Sequence, residues 1–447
     1  MMSEFPVYEA VKSQLHLREK VGQLFMPAAF INDTEAEIRN LESLIQKGQV
    51  GGLCFFHSRA SAATNFEGPK EVPYNENSLT RLEQLIERYQ KSARYPLLMA
   101  IDAEWGLAMR VEHAPQYPYA LTLGALNGSS EEMLYELGLR MAQDCREIGI
   151  HLNLAPVVDI NTDPENPVIG YRAFGSHPQA VSRKASLLPQ GLNAGGLLSC
   201  AKHFPGHGDT AVDSHLNLPV LHKSLSDLEK EELLPFHALI KACVPLVMTG
   251  HLSLPQLDPS GLPASLSQPI IRLLRDMKFE GVIITDALNM HALKGISSQP
   301  ETLNLRAIQA GNDILCYAER IPESTELIHK EVSASRIEAS FKRVWDLKAR
   351  AFRGAMKIVP SKISPSVLNR KLARACLFEL GDATGVGPAF RKEGFDLLTV
   401  GPTPGVFIKT LQEVHDFEIH ACPSGEGFPK GSGIRAQTIL LTLWPPH

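Results

Sequence analysis

A chain of 447 residues has room for two or three domains, and its 44% hydrophobic and 21% charged content is that of an ordinary globular protein. A net charge of −5 with no basic block argues against nucleic acid as a partner, and no apolar run approaches the roughly 20 residues of a membrane-spanning helix. The first residues, MMSEFPVYEAVKSQLHLREKVGQLF, carry no apolar h-region or small-residue cleavage site, and the seven cysteines form no CxxC pair. Cys54, Cys200 and Cys316 lie in apolar runs and read as small core residues in a reducing compartment, so the expected location is cytoplasmic.

In chain order, short apolar runs alternate with helix-period segments. The runs are 22–27, 52–56, 97–102, 152–159, 197–203, 246–251, 282–286 and 313–317. Each is nearly all apolar, as parallel strands covered on both faces are. Between them, Ser129–Glu132 resembles a capping box before Met133, Leu134, Leu137 and Met141. Ser226–Glu229 repeats the pattern before Leu233 and Phe236, with Pro235 expected to bend that helix. Residues 57–78 are polar and aperiodic and read as a long loop at the mouth of the fold. Residues 323–353 read as one long helix. Strand–helix alternation of this length predicts an α/β fold, a (β/α)8 TIM barrel over 1–354, with an open doubly wound sheet as the competing arrangement. No GxGxxG follows the first strand, which disfavours a dinucleotide site. After Pro360 and Pro365, strand-like runs at 377–380, 395–400, 417–421 and 438–443 and a helix-like run at 406–414 predict a small, shortened α/β domain over 355–447.

A barrel presents its chemistry at the C-terminal ends of its strands. Those ends carry Asp102, Asp159 followed by Asn161 and Arg172, Lys202 with His203, His251, and Asp286. Charges there must pair with one another or face a wet pocket, because desolvation is costly. The densest stretch is 202–215, KHFPGHGDTAVDSH. It admits three chemistries. His203, His207, Asp213 and His215 are metal-ligand types, although the segment is a Gly/Pro loop and the spacing is not HExxH. Lys202 suits a Schiff base. Asp286 as a carboxylate nucleophile, with Asp213 and His215 as a proton-donating pair, suits glycoside hydrolysis. His207 reads as a loop-organising residue and Asp209 as a side chain bonding backbone amides in the turn. His251 could line the pocket or be a satisfied core histidine.

The segments SCAKHFPGHGDTAVDSHLNLP, IITDALNM, APVVDINTDPENPVIGYRAFG and GGLCFF resemble glycoside hydrolase family 3, in its β-N-acetylhexosaminidase branch, over about residues 15–350. The resemblance implies Asp286 as the nucleophile of a retaining mechanism and an Asp213–His215 dyad with His215 as acid and base. It implies Lys202, His203, Arg172, Asp102 and Arg110 as residues that bind the sugar. It implies an exo-acting β-N-acetylglucosaminidase whose partners are small oligosaccharide or glycopeptide substrates from peptidoglycan or chitin, with no cofactor and no metal. A β-glucosidase or a phosphorylase of the same fold, or a non-catalytic sugar-binding protein, are the alternatives. The family usually has Asp-Gln-Glu-Gly-Gly at the end of the third strand; here the residues are Asp102-Ala-Glu-Trp105-Gly106, so a tryptophan stands where a glycine is usual.

Overall fold

A computed structural model describes residues 5–60, 72–164, 166–210, 218–352 and 358–376, together with three strands beyond them. The chain divides into two compact units, Met1–Cys376 and Leu377–His447. The break therefore falls some way past the expected boundary at 354/355. The reason is the helix Pro365–Cys376: Leu368 and Leu372 are buried in the core of the first unit.

The first unit is built on parallel strands. They are β1 (Phe25–Met26), β2 (Ala28–Phe30), β3 (Gly52–Phe56), β4 (Leu98–Ile101), β5 (Leu152–Asn153), β6 (Leu198–Phe204), β7 (Leu246–Thr249), β8 (Val282–Thr285) and β9 (Leu315–Cys316). β2 to β8 pair in sequence order as one curled parallel sheet. β1 and β2 are one strand interrupted at Pro27, which has no N–H to give to a ladder. β1 pairs with β9 through Phe25↔Leu315 and Met26↔Cys316, and the bridge Ile284↔Ile314 joins β9 to β8. These contacts close the curled sheet into a TIM-type barrel. Every residue of β3, β4, β6, β7 and β8 is buried, as strands with a filled interior on one side and helices on the other must be. The first strand begins three residues later than its apolar run, because Leu17–Gly22 is a helix.

Three helical expectations shift. Asn127, not Ser129, caps the short 3-10 turn Gly128–Glu132 that leads into the helix Met133–Glu147. Ser224 caps Leu225–Lys230 by accepting from the Asp227 N–H at 3.2 Å, and the chain breaks at Glu231. Pro235 thus sits in the first turn of the next helix, Leu233–Lys241, where its missing N–H does no harm, and bends nothing. The helix expected over 323–353 is two, Ile321–Glu331 and Ala334–Phe352. Val332 is extended between them, and Ser333 Oγ accepts from the Arg336 N–H.

A separate apolar cluster ties the N-terminal segment down. Phe5, Val11 and Leu15 pack on Phe341 and Trp345, with the Phe5 and Trp345 rings 4.9 Å apart. Each such side chain contributes about 1.5–3 kcal/mol of burial. The second unit contains a three-stranded parallel sheet, Asp396–Val400 flanked by Ile419–Cys422 and Ile439–Leu443. The strand-like run at 377–380 and the helix-like run at 406–414 lie outside the described residues.

Candidate functional site

The strand ends converge as a barrel requires, and their charges form one network. Lys202, near the end of β6, lies between two carboxylates. Its Nζ is 2.8 Å from Asp102 Oδ1 and 2.7 Å from Glu104 Oε1. Arg172 holds Glu104 in a two-pronged pair, with Nε to Oε2 at 2.9 Å and Nη2 to Oε1 at 2.8 Å. Arg110 closes the other end on Asp102 Oδ2 at 3.2 Å. Three cations thus face two carboxylates, with the Lys202 and Glu104 side chains well buried, only 3% and 7% exposed, and the other three partly buried.

Burial alone would raise the carboxyl pKa values, but the cations overcome it. Arg172 and Lys202 hold Glu104 well below the usual carboxylate range, and Lys202 and Arg110 lower Asp102. Lys202 answers in the opposite sense. Burial disfavours its charge, yet Asp102 and Glu104 raise its pKa above that of a free lysine. An amine held protonated between two carboxylates is a poor Schiff-base nucleophile, which removes that chemistry for Lys202.

A second carboxylate organises the loop after β6. Asp159 accepts the backbone N–H of His203 at 3.2 Å and that of His207 at 2.7 Å, and its Oδ2 lies 2.7 Å from His203 Nδ1. Burial works against its charge, but His203, chiefly, lowers its pKa. Two glycines let the loop pass this close. Gly206 has φ +132°, and a Cβ on Gly208 would stand 1.8 Å from the Ile160 carbonyl oxygen, so neither position accepts a side chain. His207 Nδ1 is 2.8 Å from Thr210 Oγ1, and its carbonyl accepts from Asn166 Nδ2 at 2.9 Å. Its Nε2 is buried without a partner among the described residues, and burial pushes its pKa down to about 4, so the ring is neutral near pH 7. Asp209 makes an ion pair with Lys223 at 2.8 Å, and the amides of 211–217 that it was expected to bond lie outside the described residues.

Asp286 directly follows β8. Its Oδ1 accepts from the Ala287 N–H at 2.7 Å. Burial raises its pKa, but His203, His251, that N–H and Lys202 together bring it down to about 2. His251, wholly buried, fixes the same turn. Its Nε2 donates to the Ala287 carbonyl at 3.0 Å, and its Nδ1 lies 2.7 Å from the Ser265 hydroxyl.

Of the residues singled out in the sequence, Asp102, Arg110, Arg172 and Lys202 come together in one network, and His203 adjoins Asp286 electrostatically. Asp213 and His215 fall outside the described residues. Two residues take a larger part than the sequence assigned them. Glu104 is the shared partner of Lys202 and Arg172, and Asp159 holds both loop histidines. Glu104 had a sequence signal, its place two residues after Asp102 at a strand end. No group of three or more His, Cys, Asp or Glu side chains in metal-binding arrangement occurs among the described residues. Nor, among them, is any helix long and apolar enough to cross a membrane.

Residues 16–347 match the N-terminal domain of glycosyl hydrolase family 3. The chain belongs to that family. It is 32% identical over 290 residues to beta-hexosaminidase A of Pseudoalteromonas piscicida, covering 61% of this chain and 46% of the relative. It is 38% identical over 239 residues to a beta-hexosaminidase of Neisseria meningitidis serogroup C, covering 52% of this chain and 65% of the relative. The chain thus spans between about half and two thirds of these relatives' lengths. Among solved structures, a family 3 beta-N-acetylglucosaminidase from Paenibacillus sp. str. FPU-7 superposes with a TM-score of 0.74 at 27% identity, covering 92% of this chain and 80% of that one. The family 3 assignment supports the resemblance read from the 202–215 loop and the TDALNM strand end.

Proposed function

We propose that this family 3 protein is a retaining exo-β-N-acetylglucosaminidase acting on terminal β-linked N-acetylglucosamine of peptidoglycan or chitin fragments. The observation that carries the reading is Asp286. It is a half-buried carboxylate at a barrel strand end, and its charged form is stabilised by neighbouring histidines, a backbone N–H and Lys202. An ionised carboxylate held in place at a strand end is what nucleophilic attack at an anomeric carbon requires. The names of the relatives support the N-acetylhexosamine specificity.

In this reading an Asp286 oxygen bonds to the anomeric carbon as the bond to the leaving-group oxygen breaks. His215, oriented by Asp213, gives that oxygen its proton. A water then attacks the glycosyl-enzyme ester from the opposite face and gives His215 a proton, and the sugar leaves with its β configuration retained. Asp102, Arg110, Arg172, Lys202 and His203 bind the sugar hydroxyls, with Glu104 holding Lys202 and Arg172 in place.

The test is cleavage of an aryl β-N-acetylglucosaminide beside the matching β-glucoside, with EDTA present, by the parent and by His215→Ala. Cleavage of the N-acetyl substrate alone, insensitive to EDTA, slowed by the substitution and first releasing the β-anomer by NMR, supports the reading. Equal glucoside cleavage, loss with EDTA, or a sugar phosphate as product in phosphate buffer would overturn it. Failure to release N-acetylglucosamine from muropeptide-type disaccharides and from chitin fragments would remove the proposed substrates.

A further inference from the structure

The departure at Trp105 has a structural counterpart. Glu104 pairs with Arg172 inside the site, and the neighbouring residues in each segment also meet: the rings of Trp105 and Tyr171 have centroids 6.1 Å apart. Tyr119 completes a three-ring cluster, at 4.9 Å from Trp105 and 4.7 Å from Tyr171. Two strands of contact therefore run side by side, an ion pair within and aromatic rings without. The Glu104 and Arg172 side chains are 7% and 18% exposed, whereas Tyr171 is 39% exposed and Trp105 and Tyr119 are half-buried.

The cluster is held in place rather than loosely draped. The Tyr117 N–H donates to the Trp105 carbonyl at 2.9 Å, and the next residue, Gly106, has φ +96°. A Cβ on Gly106 would stand 2.6 Å from the Pro115 carbonyl oxygen, so the turn that presents Trp105 requires glycine there. Tyr171 is the middle residue of the 3-10 turn Gly170–Arg172, which Arg172 anchors to Glu104.

Lys202 influences Asp286 and contacts Glu104, so the rings begin one residue beyond the network that serves Asp286. We propose that Trp105, Tyr119 and Tyr171 form a leaving-group subsite that stacks on the second sugar of a disaccharide or longer substrate. The inference rests on the glycosidase reading above. A pyranose fits the surface because its C–H face suits an aromatic ring while its hydroxyls suit the phenol oxygens of the two tyrosines. An exo-acting enzyme that releases one terminal sugar needs a place for the remainder of the chain. A partly exposed, rigid aromatic surface beside the Glu104–Arg172 pair supplies it at little cost in side-chain ordering.

The experiment compares two substrates that differ in whether they reach the cluster: N,N′-diacetylchitobiose, which carries a second sugar, and β-N-acetylglucosaminyl fluoride, which does not. In Trp105→Ala and in Tyr171→Ala the disaccharide-to-fluoride ratio of kcat/KM should fall about tenfold, the loss of one good stacking contact. Tyr171→Phe, which keeps the ring, should hold the ratio near the parent value. A ratio unchanged in both alanine variants, with both substrates slowed alike, would overturn the subsite. So would a larger loss on an aryl glycoside than on the disaccharide, since the surface would then serve an apolar aglycone. If the parent turned over neither substrate, the glycosidase reading would fall, and calorimetry would decide the subsite separately. Tighter binding of the disaccharide than of N-acetylglucosamine, lost in Tyr171→Ala, would support it, and equal affinities in the parent would overturn it.

Discussion

Replacing Glu104 by Gln removes a single negative charge while keeping the shape of the side chain. In the parent, Glu104 receives Lys202 at 2.7 Å and both prongs of Arg172 at 2.8 and 2.9 Å. The variant amide has one acceptor oxygen. If that oxygen stays on the Lys202 side, the NH2 group faces the Arg172 Nε–H, donor against donor. At least one charge-assisted bond goes, and a hydrogen bond to a charged group contributes about 1.5–3 kcal/mol. The remaining imbalance is larger: three buried cations would face only Asp102. Removing one partner of a buried pair costs about 3–5 kcal/mol, because the uncompensated charge stays buried. That total divides between folding and function. Thermal unfolding should show a clear drop in stability, and kcat/KM on an aryl β-N-acetylglucosaminide should fall about a hundredfold or more as Lys202 and Arg172 lose their fixed positions. If unfolding free energy changed by less than about 0.5 kcal/mol, the range of a neutral surface substitution, and kcat/KM stayed within about twofold, then Glu104 would not be what holds these cations.

Asp286→Asn should reduce turnover by at least about a thousandfold with the fold intact by circular dichroism, and since the parent carboxyl titrates at about 2, it is ionised at every pH of an ordinary profile, so any acid-side loss of rate above about pH 4 should follow another group. Burial lowers His151 and His207 to about 4, below the ordinary 6.5. The unfolded chain therefore binds more protons between these values, and stability that is complete above about 6.5 is lost as pH falls toward 4. Each ring contributes about 3 kcal/mol to that fall. His151→Gln should make the fall in urea midpoint shallower, and an unchanged slope would refute the assignment. Lys348 is wholly buried, with its Nζ bonded only to Gln23 Oε1 at 2.8 Å and the Gly51 carbonyl at 3.1 Å among the described residues, and burial brings its pKa to about 7. The unfolded side chain keeps its proton to about 10.5, so stability should rise with pH between about 7 and 9, and the rise should vanish in Lys348→Met.

The barrel was legible because each strand is buried on both faces. Apolar runs such as Gly52–Phe56 and Val282–Thr285 have no polar alternation to obscure them, and the carboxylates that end three of the runs, Asp102, Asp159 and Asp286, are placed at the mouth. Helix boundaries were less legible. Ser129 and Ser226 look as good as Asn127 and Ser224 as caps, and only the backbone geometry selects between them. The pairing of the strand-end charges was not legible at all. Nothing near Glu104 in sequence says that Arg172, 68 residues on, will grip both of its oxygens, or that Lys202 will share one of them.

The histidines illustrate the same limit more sharply. His203, His207 and His251 are the same residue type at one barrel mouth. Yet His203 pairs with a carboxylate, His207 is buried and neutral beside a threonine, and His251 is consumed in pinning the turn after Asp286. Residue type offers the same proton chemistry to all three, and partner and burial decide which can express it. A histidine whose two nitrogens are occupied by Ser265 and the Ala287 carbonyl cannot exchange protons with a leaving group, whatever its distance from the nucleophile. A proton donor in this site must be a ring with a nitrogen free to face substrate. Removal of His251 should accordingly act by displacing Asp286. In His251→Gln, whose amide can still donate to the Ala287 carbonyl, kcat should fall much less than in His251→Ala, with no change in the pH dependence of either. A shifted pH profile in the glutamine variant would instead make His251 the proton carrier.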